Sequence, residues 1–247
     1  MLNRLMNRRR SRAANVCFCT LAIHAPYRQR ARLLFADAPD VHWIVLTDEP
    51  DDFDGLAVQT IRHTPTGPMA VDFLTKLPST GTGRPAYHDK RFVLQAALMA
   101  FDTAIFIDAD TRIRTMPELP RFLPGIAVTQ VVQANIAEHL SRWGTQRRLA
   151  FEQLAIHLTG TSETLQSARW CNEALFAITK DGNESRFLEA WGYAAEFLQS
   201  REIFSGEGGA MGLAAVCAGW TVDYESLNKL AASTHHEGGG PKSGATD

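Results

Sequence analysis

Short apolar runs alternate with helical segments along the first half of the chain, and this order limits the folds open to it. Strands are predicted at residues 15–22 (NVCFCTLA), 41–46 (VHWIVL), 58–61 and 103–107 (TAIFI). Helices are predicted at residues 27–36 and 87–101, and the second has apolar side chains at helical spacing. The alternation predicts an α/β domain whose mostly parallel, Rossmann-like sheet is flanked by helices.

The second half of the chain is less regular. Strands are predicted at residues 128–132 and 174–178, and helical segments at residues 136–159 and 184–198. Residues 206–212 (GEGGAMG) predict a glycine-dense turn that leads into a helix at residues 213–218. Residues 65–85 are rich in Thr, Gly and Pro and predict a long loop.

Composition narrows the class of protein. The 247 residues are 45% hydrophobic and 21% charged, which suits one globular domain. The net charge of −2 shows none of the basic excess that nucleic-acid-binding proteins usually carry, so no nucleic-acid partner is expected. We assign residues 15–242 to the domain, residues 1–14 to a basic tail and residues 243–247 to a second tail.

The cysteines and the N-terminal residues indicate in which cellular compartment the protein is expected. Cys17, Cys19, Cys171 and Cys217 are predicted to be free thiols, because no second Cys or His pair completes a zinc ligand set. No apolar run reaches the roughly 18 to 20 residues of a membrane-spanning helix. The basic tail fits either a frayed terminus or contact with an anionic membrane surface. We therefore expect a cytoplasmic protein, with peripheral membrane contact as the alternative.

The strongest local motif is IFIDADT at residues 105–111. Asp108 and Asp110 stand two positions apart at a strand end, so both carboxylates can reach one divalent cation. Such a cation can also bind phosphate oxygens. Asp52 and Asp54 have the same spacing, but they lie in an acidic loop with no strand before them, and we interpret them as solvated charges.

The sequence around this motif resembles a known family. Residues 87–113 (YHDKRFVLQAALMAFDTAIFIDADTRI) are similar to the donor-binding core of GT-A-fold glycosyltransferases, especially the retaining glycogenin/galactosyltransferase-like and blood-group-transferase-like families. Residues 169–178 (RWCNEALFAI) and 205–212 (SGEGGAMG) resemble two further family segments in part. The resemblance covers roughly residues 15–242, with a nucleotide-binding half up to residue 113 and an acceptor-side half after it.

The resemblance implies a metal-dependent hexosyltransferase that uses a nucleotide sugar. Asp108, Asp110 and His236 would hold Mn²⁺ or Mg²⁺, with His235 as the alternative imidazole ligand. A UDP-sugar is the expected donor, and its sugar would move with retention to a hydroxyl of a carbohydrate, lipid-linked or protein acceptor. The spacing of His236, Gly239 and Lys242 matches the His-x-x-Gly-x-x-Lys of the glycogenin-like families, which implies that Lys242 meets the diphosphate.

Further donor contacts are implied on the helix and strands that surround the motif. Lys90 or Arg91, on the helix before the motif, would face the donor, and Asp108 would contact it as well. Thr20, at the end of the first predicted strand, and Asp48, after the second, could contact the nucleotide, or they are turn residues. The loop at residues 65–85 is expected to close over the donor.

Three residues are the catalytic candidates that the resemblance implies. Asn172 would touch the donor sugar, and Glu173 follows it where the family often has Ala, so Glu173 is either catalytic or an exposed strand-end carboxylate. Glu207 would act as a nucleophile or stabilise positive charge at the reacting carbon. Its alternative role is that of an acid favoured at a helix N-terminus.

Two other functions stay open at this point. A sugar-nucleotide nucleotidyltransferase usually has a glycine-rich basic loop after its first strand, whereas this chain has LAIHAPYRQR there. A non-catalytic nucleotide-sugar-binding relative would keep the fold without turnover. The complete set of metal ligands argues against that second alternative, and the glycines around Glu207 argue for it.

Overall fold

A computed structural model of the chain describes residues 15–64, 87–129, 135–203 and 206–237. The strands within these ranges are β1 (Val16–Ala22), β2 (Trp43–Thr47), β3 (Val58–Arg62), β4 (Thr103–Ile107), β5 (Thr111–Ile113), β6 (Gly125–Val128), β7 (Leu175–Thr179), β8 (Val222–Asp223) and β9 (Thr234–His236). The α-helices are α1 (Ala25–Asp37), α2 (Lys90–Ala100), α3 (Ile136–Leu140), α4 (Thr145–Thr159), α5 (Thr164–Ser167), α6 (Glu184–Gln199), α7 (Glu207–Ala218) and α8 (Asn228–Ala232).

The central sheet has seven strands in the order β3-β2-β1-β4-β7-β6-β8. Neighbouring strands from β3 to β4 are parallel, and so are β6 and β8. β7 runs antiparallel to both β4 and β6. The prediction of a mostly parallel α/β sheet is confirmed. The reversal of β7 places its amino end at the edge where β4 ends.

Helices cover both faces of the sheet, which explains the continuous apolar runs of its strands. Cys17 and Cys19 of β1 face a core built with α2, α4, α6 and α7. Phe18 points to the opposite face, where it packs in a core with α1 and α8. Cys17, Cys19 and Cys171 are buried free thiols as predicted, and Cys217 is a half-buried one.

Two predictions of local structure are wrong. The glycine-dense segment is not a turn, because α7 begins at Glu207 and includes three of its four glycines, Gly208, Gly209 and Gly212. Tertiary packing overrides glycine's low helix propensity there, since a Cβ at Gly212 would lie 2.0 Å from the carbonyl oxygen of Arg169. The strand predicted to begin at residue 128 is β6, which begins at Gly125 and ends at Val128, and residues 130–132 of that prediction lie outside the described residues.

Further differences from the sequence-based predictions concern two unpredicted strands, and some predictions fall on residues that the structure does not describe. β5 and β9, which the patterning did not predict, pair as a separate antiparallel two-stranded sheet. Residues 65–86, 130–134 and 238–247 lie outside the described residues, so the predicted loop at 65–85 and Lys242 are not placed. None of the helices in the described ranges is long and apolar enough to cross a membrane.

Candidate functional site

Side chains from distant parts of the sequence meet at the edge of the sheet where β4 ends. Asp108 directly follows β4, and its backbone N–H donates a 2.9 Å hydrogen bond to the carbonyl of Ala174, just before β7. The helices α2 and α7 begin at this edge, with Lys90 and Glu207 as their first residues. In open α/β sheets, ligands bind beyond this edge, so these residues form the candidate site.

Three side chains at this edge could hold a metal ion. One ligand atom each from Asp108, Asp110 and His236 lie within 4.8 Å of one another. His236 Nε2 lies 2.9 Å from Asp110 Oδ1. Carboxylate oxygens suit hard divalent cations, and a neutral imidazole suits Mn²⁺ less well than oxygen donors do but is a common metal ligand. The donor set therefore fits the Mn²⁺ or Mg²⁺ that the resemblance implies.

His236 reaches the cluster because β9 pairs with β5. Thr111 lies opposite His236 in this pairing, and the N–H of Glu237 donates a 2.8 Å bond to the Asp110 carbonyl. Arg112 of β5 binds both carboxylate oxygens of Asp37, at 2.7 and 2.6 Å, which ties the small sheet to the end of α1.

Lys90 joins three segments of the site. Its Nζ lies 2.9 Å from Asp108 Oδ1 and 2.6 Å from Glu207 Oε1, and it donates a 2.9 Å bond to the Glu173 carbonyl. An ammonium has three N–H donors, so these partners satisfy all of them. The Lys90 side chain is only 5% exposed. Lys90 is therefore a fixed, buried cation that links β4, α7 and the segment before β7.

Burial and neighbouring charges shift the pKa values of these groups. Burial lowers the pKa of Lys90, but the Asp108 and Glu207 carboxylates outweigh it and raise the pKa above its usual range. Burial raises the pKa of Asp108 to about 6 against the opposing effect of Lys90. Burial and the nearby Glu207 raise the pKa of Glu173 to about 7. The site thus combines a permanent cation with carboxyls that exchange protons near neutral pH.

Asp110 is more strongly ionised than Asp108, because its pKa is lowered whereas that of Asp108 is raised. Burial raises the pKa of Asp110, but the hydrogen bond from His236 and the charge of Arg30 lower it overall. The same hydrogen bond raises the pKa of His236. A guanidinium nitrogen of Arg30 lies 3.5 Å from Asp110 Oδ2. Asp110 is therefore a carboxylate with a guanidinium and an imidazole as neighbours.

The three catalytic candidates have different environments, and two of them, Glu173 and Glu207, contact Lys90. Asn172 is half-buried, and its amide donates to the hydroxyl of Thr129 while its oxygen accepts from the Ala174 N–H at 3.0 Å. Glu173 is half-buried. Glu207 is only 3% exposed, so little of its carboxyl group is open to a ligand in this structure.

The other predicted donor-contact residues differ in their surroundings. Arg91 packs against the Phe92 ring, 4.2 Å from its centre, and donates to the His88 carbonyl, so Lys90 is the basic residue of this pair that enters the site. Thr20 is fully buried. Asp48 holds the turn after β1, because it accepts 3.2 Å hydrogen bonds from the N–H of His24.

Sequence reasoning missed two features of the site. Arg30 does not stand out in the sequence, because residues 28, 30 and 32 of the predicted helix are all arginines. The pairing of Lys90 with Glu207 joins residues 117 positions apart, and no local pattern indicates it.

The assignment of a function to this protein rests on the residues of the site. The sequence matches no protein-family model and no curated protein.

Proposed function

We propose that this protein is a metal-dependent glycosyltransferase that moves a sugar from a nucleotide sugar, with a UDP-sugar as the expected donor, to an acceptor hydroxyl. The observation that carries the proposal is the cluster of Asp108, Asp110 and His236 at the carboxyl edge of the sheet. The buried Lys90 beside the cluster supports it, because a diphosphate leaving group needs positive charge.

The metal ligands and Lys90 have separate roles in this proposal. Asp108, Asp110 and His236 would hold the cation, which supplies charge neutralisation for the departing nucleoside diphosphate. Lys90 fixes the orientation of Asp108 and adds a positive charge that needs no reorganisation during the reaction. Retention of configuration follows from the family resemblance alone.

The two glutamates differ in what they can contribute. Glu207 is buried and bound to Lys90, which favours electrostatic stabilisation of positive charge on the sugar over nucleophilic attack. Glu173 is more open, and its raised pKa of about 7 suits proton exchange with a substrate hydroxyl. Asn172 would orient the donor sugar.

Calorimetric titration of UDP and GDP, with and without Mn²⁺, tests the donor site. We expect Mn²⁺-dependent binding of UDP to the wild type and none to Asp110→Ala. Asp54→Ala is the matched control, because this exposed aspartate belongs to the other Asp-x-Asp pair. Failure of the wild type to bind either nucleotide in the presence of Mn²⁺ would refute the proposal.

A nucleotide-sugar-binding protein without turnover is the second candidate, which the burial of Glu207 favours. Hydrolysis or transfer assays with a panel of UDP-sugars distinguish the two. We expect turnover in the wild type, a large loss in Glu173→Gln, and a partial loss in Glu207→Gln. Metal-dependent UDP binding without any hydrolysis or transfer would favour the non-catalytic candidate.

A further inference from the structure

Arg30 places a positive charge at the metal cluster, and a divalent metal ion would compete with it for the Asp110 carboxylate. Its guanidinium lies 3.5 Å from Asp110 Oδ2, on the same carboxylate that His236 contacts. A separation of 3.5 Å is too long for a strong charge-assisted hydrogen bond, which is typically about 2.7–2.9 Å. The Arg30–Asp110 contact is therefore a loose one.

The two cations at the cluster differ in how firmly they are held. Lys90 is buried and keeps Glu207 and the Glu173 carbonyl as partners even when Asp108 turns to a metal. Arg30 is 38% exposed, and besides Asp110 it lies near the exposed ring of Tyr27, 5.8 Å from the ring centre. A divalent ion bound by Asp110 would repel both cations, but only Arg30 has room to move.

The neighbouring arginines of α1 are engaged elsewhere. Arg28 lies 2.7 Å from Asp48 and also binds Asp52, and its side chain is only 14% exposed. Arg32 donates to the backbone carbonyl of Asp52. Arg30 is thus the arginine that α1 directs to the metal cluster.

We propose that Arg30 exchanges the Asp110 carboxylate for a phosphate oxygen when a metal-bound nucleoside diphosphate enters the site. The diphosphate brings negative charge to the cluster as the metal takes Asp110, so the guanidinium moves from one anion to another. Arginine suits this role because its planar donors match phosphate oxygens. The inference rests on the proposed function, and it adds a residue that selects phosphate-bearing ligands.

The test compares Arg30→Gln with Arg32→Gln in two titrations, one of Mn²⁺ alone and one of UDP at saturating Mn²⁺. Arg32 is an exposed arginine on the same helix and serves as the matched control. For Arg30→Gln we expect Mn²⁺ to bind at least as tightly as in the wild type, because a competing cation is gone. We expect UDP to bind roughly ten- to a hundredfold more weakly, the cost of one charged hydrogen bond. Arg30→Lys should bind UDP with intermediate affinity.

The loss of UDP affinity without a loss of Mn²⁺ affinity distinguishes a phosphate contact by Arg30 from a purely structural role of this residue. Equal loss of Mn²⁺ and UDP binding in Arg30→Gln would mean that Arg30 only positions Asp110, and would overturn the inference. So would UDP binding in Arg30→Gln that equals that of Arg32→Gln. In both cases Mn²⁺-dependent UDP binding by the wild type would leave the proposed function standing. If the wild type binds no Mn²⁺, the proposed function and the inference fail together.

Discussion

Lys90 donates a 2.6 Å hydrogen bond to Glu207, so the first residue of α2 is tied to the first residue of α7. Both side chains are at most 5% exposed. A buried ion pair of this kind adds little net stability by itself, but removing one partner leaves an uncompensated charge in the interior. The pair therefore makes the shape of the site depend on both residues.

Replacing Lys90 should cost more stability than replacing Glu207. Lys90→Met leaves the buried Glu207 and the half-buried Asp108 without their cation, and we expect a loss of about 3–5 kcal/mol in the free energy of unfolding. Glu207→Gln leaves Lys90 with two partners and should cost clearly less. Urea denaturation measures both, with Lys229→Met at an exposed position as the control. Equal losses for Lys90→Met and Lys229→Met would contradict the central role of Lys90.

Two helical glycines should respond to alanine with opposite signs. A Cβ at Gly212 of α7 would lie 2.0 Å from the Arg169 carbonyl oxygen, so the backbone must shift, and we expect a loss of about 1–3 kcal/mol. A Cβ at Gly192 of α6 would meet only Arg91 at 3.5 Å, and alanine should stabilise the helix by about 0.5–1 kcal/mol. Thermal and urea unfolding of both variants test this. Stabilisation by Gly212→Ala would show that α7 does not approach this backbone closely.

His88 should make stability depend on pH. Its Nδ1 accepts a 3.1 Å hydrogen bond from Trp191 Nε1, and burial lowers the pKa of His88 from 6.5 to about 4. The unfolded chain therefore takes up the proton first as pH falls, and stability is lost between about pH 6.5 and pH 4. The full effect is on the order of 3 kcal/mol.

The substitution His88→Asn isolates this contribution, because an Asn side chain can also offer an acceptor to Trp191. We expect the free energy of unfolding of His88→Asn to vary less between pH 7 and pH 4 than that of the wild type. His42→Asn, at an exposed position, controls for the exchange itself. The same slope in His88→Asn and in the wild type would argue against a neutral buried imidazole at residue 88.

Arg112 should control metal affinity without contacting the metal. It binds both oxygens of Asp37, at 2.7 and 2.6 Å, and β5 in turn holds the strand that carries His236. Arg112→Lys loses the two-pronged contact, so Mn²⁺ affinity should fall by roughly ten- to a hundredfold, as outer-shell substitutions commonly cause. Arg114→Lys, at the exposed position just after β5, is the control. Unchanged Mn²⁺ affinity in Arg112→Lys would show that β9 docks independently.

Much of the fold and part of the site could be predicted from sequence, because the signals are local. Apolar runs and helical spacing place β1, β4 and α6 to within a residue or two of their observed bounds. Asp108 and Asp110 could be located because they follow a buried strand whose end is marked in the sequence itself. The His236 position depended on a family spacing, and the structure brings its side chain to the two aspartates.

Only the tertiary structure decided the rest, because it depends on contacts between residues far apart in the chain. The direction of β7, the helical state of Gly208 and Gly212, and the β5–β9 pairing all follow from packing partners that no local window contains. The structure likewise distinguished Lys90 from Arg91, since adjacent helical residues point about 100° apart and only the sheet shows which direction faces the site. Local patterning thus determined the elements and the Asp-x-Asp motif, whereas long-range packing determined which charges surround that motif.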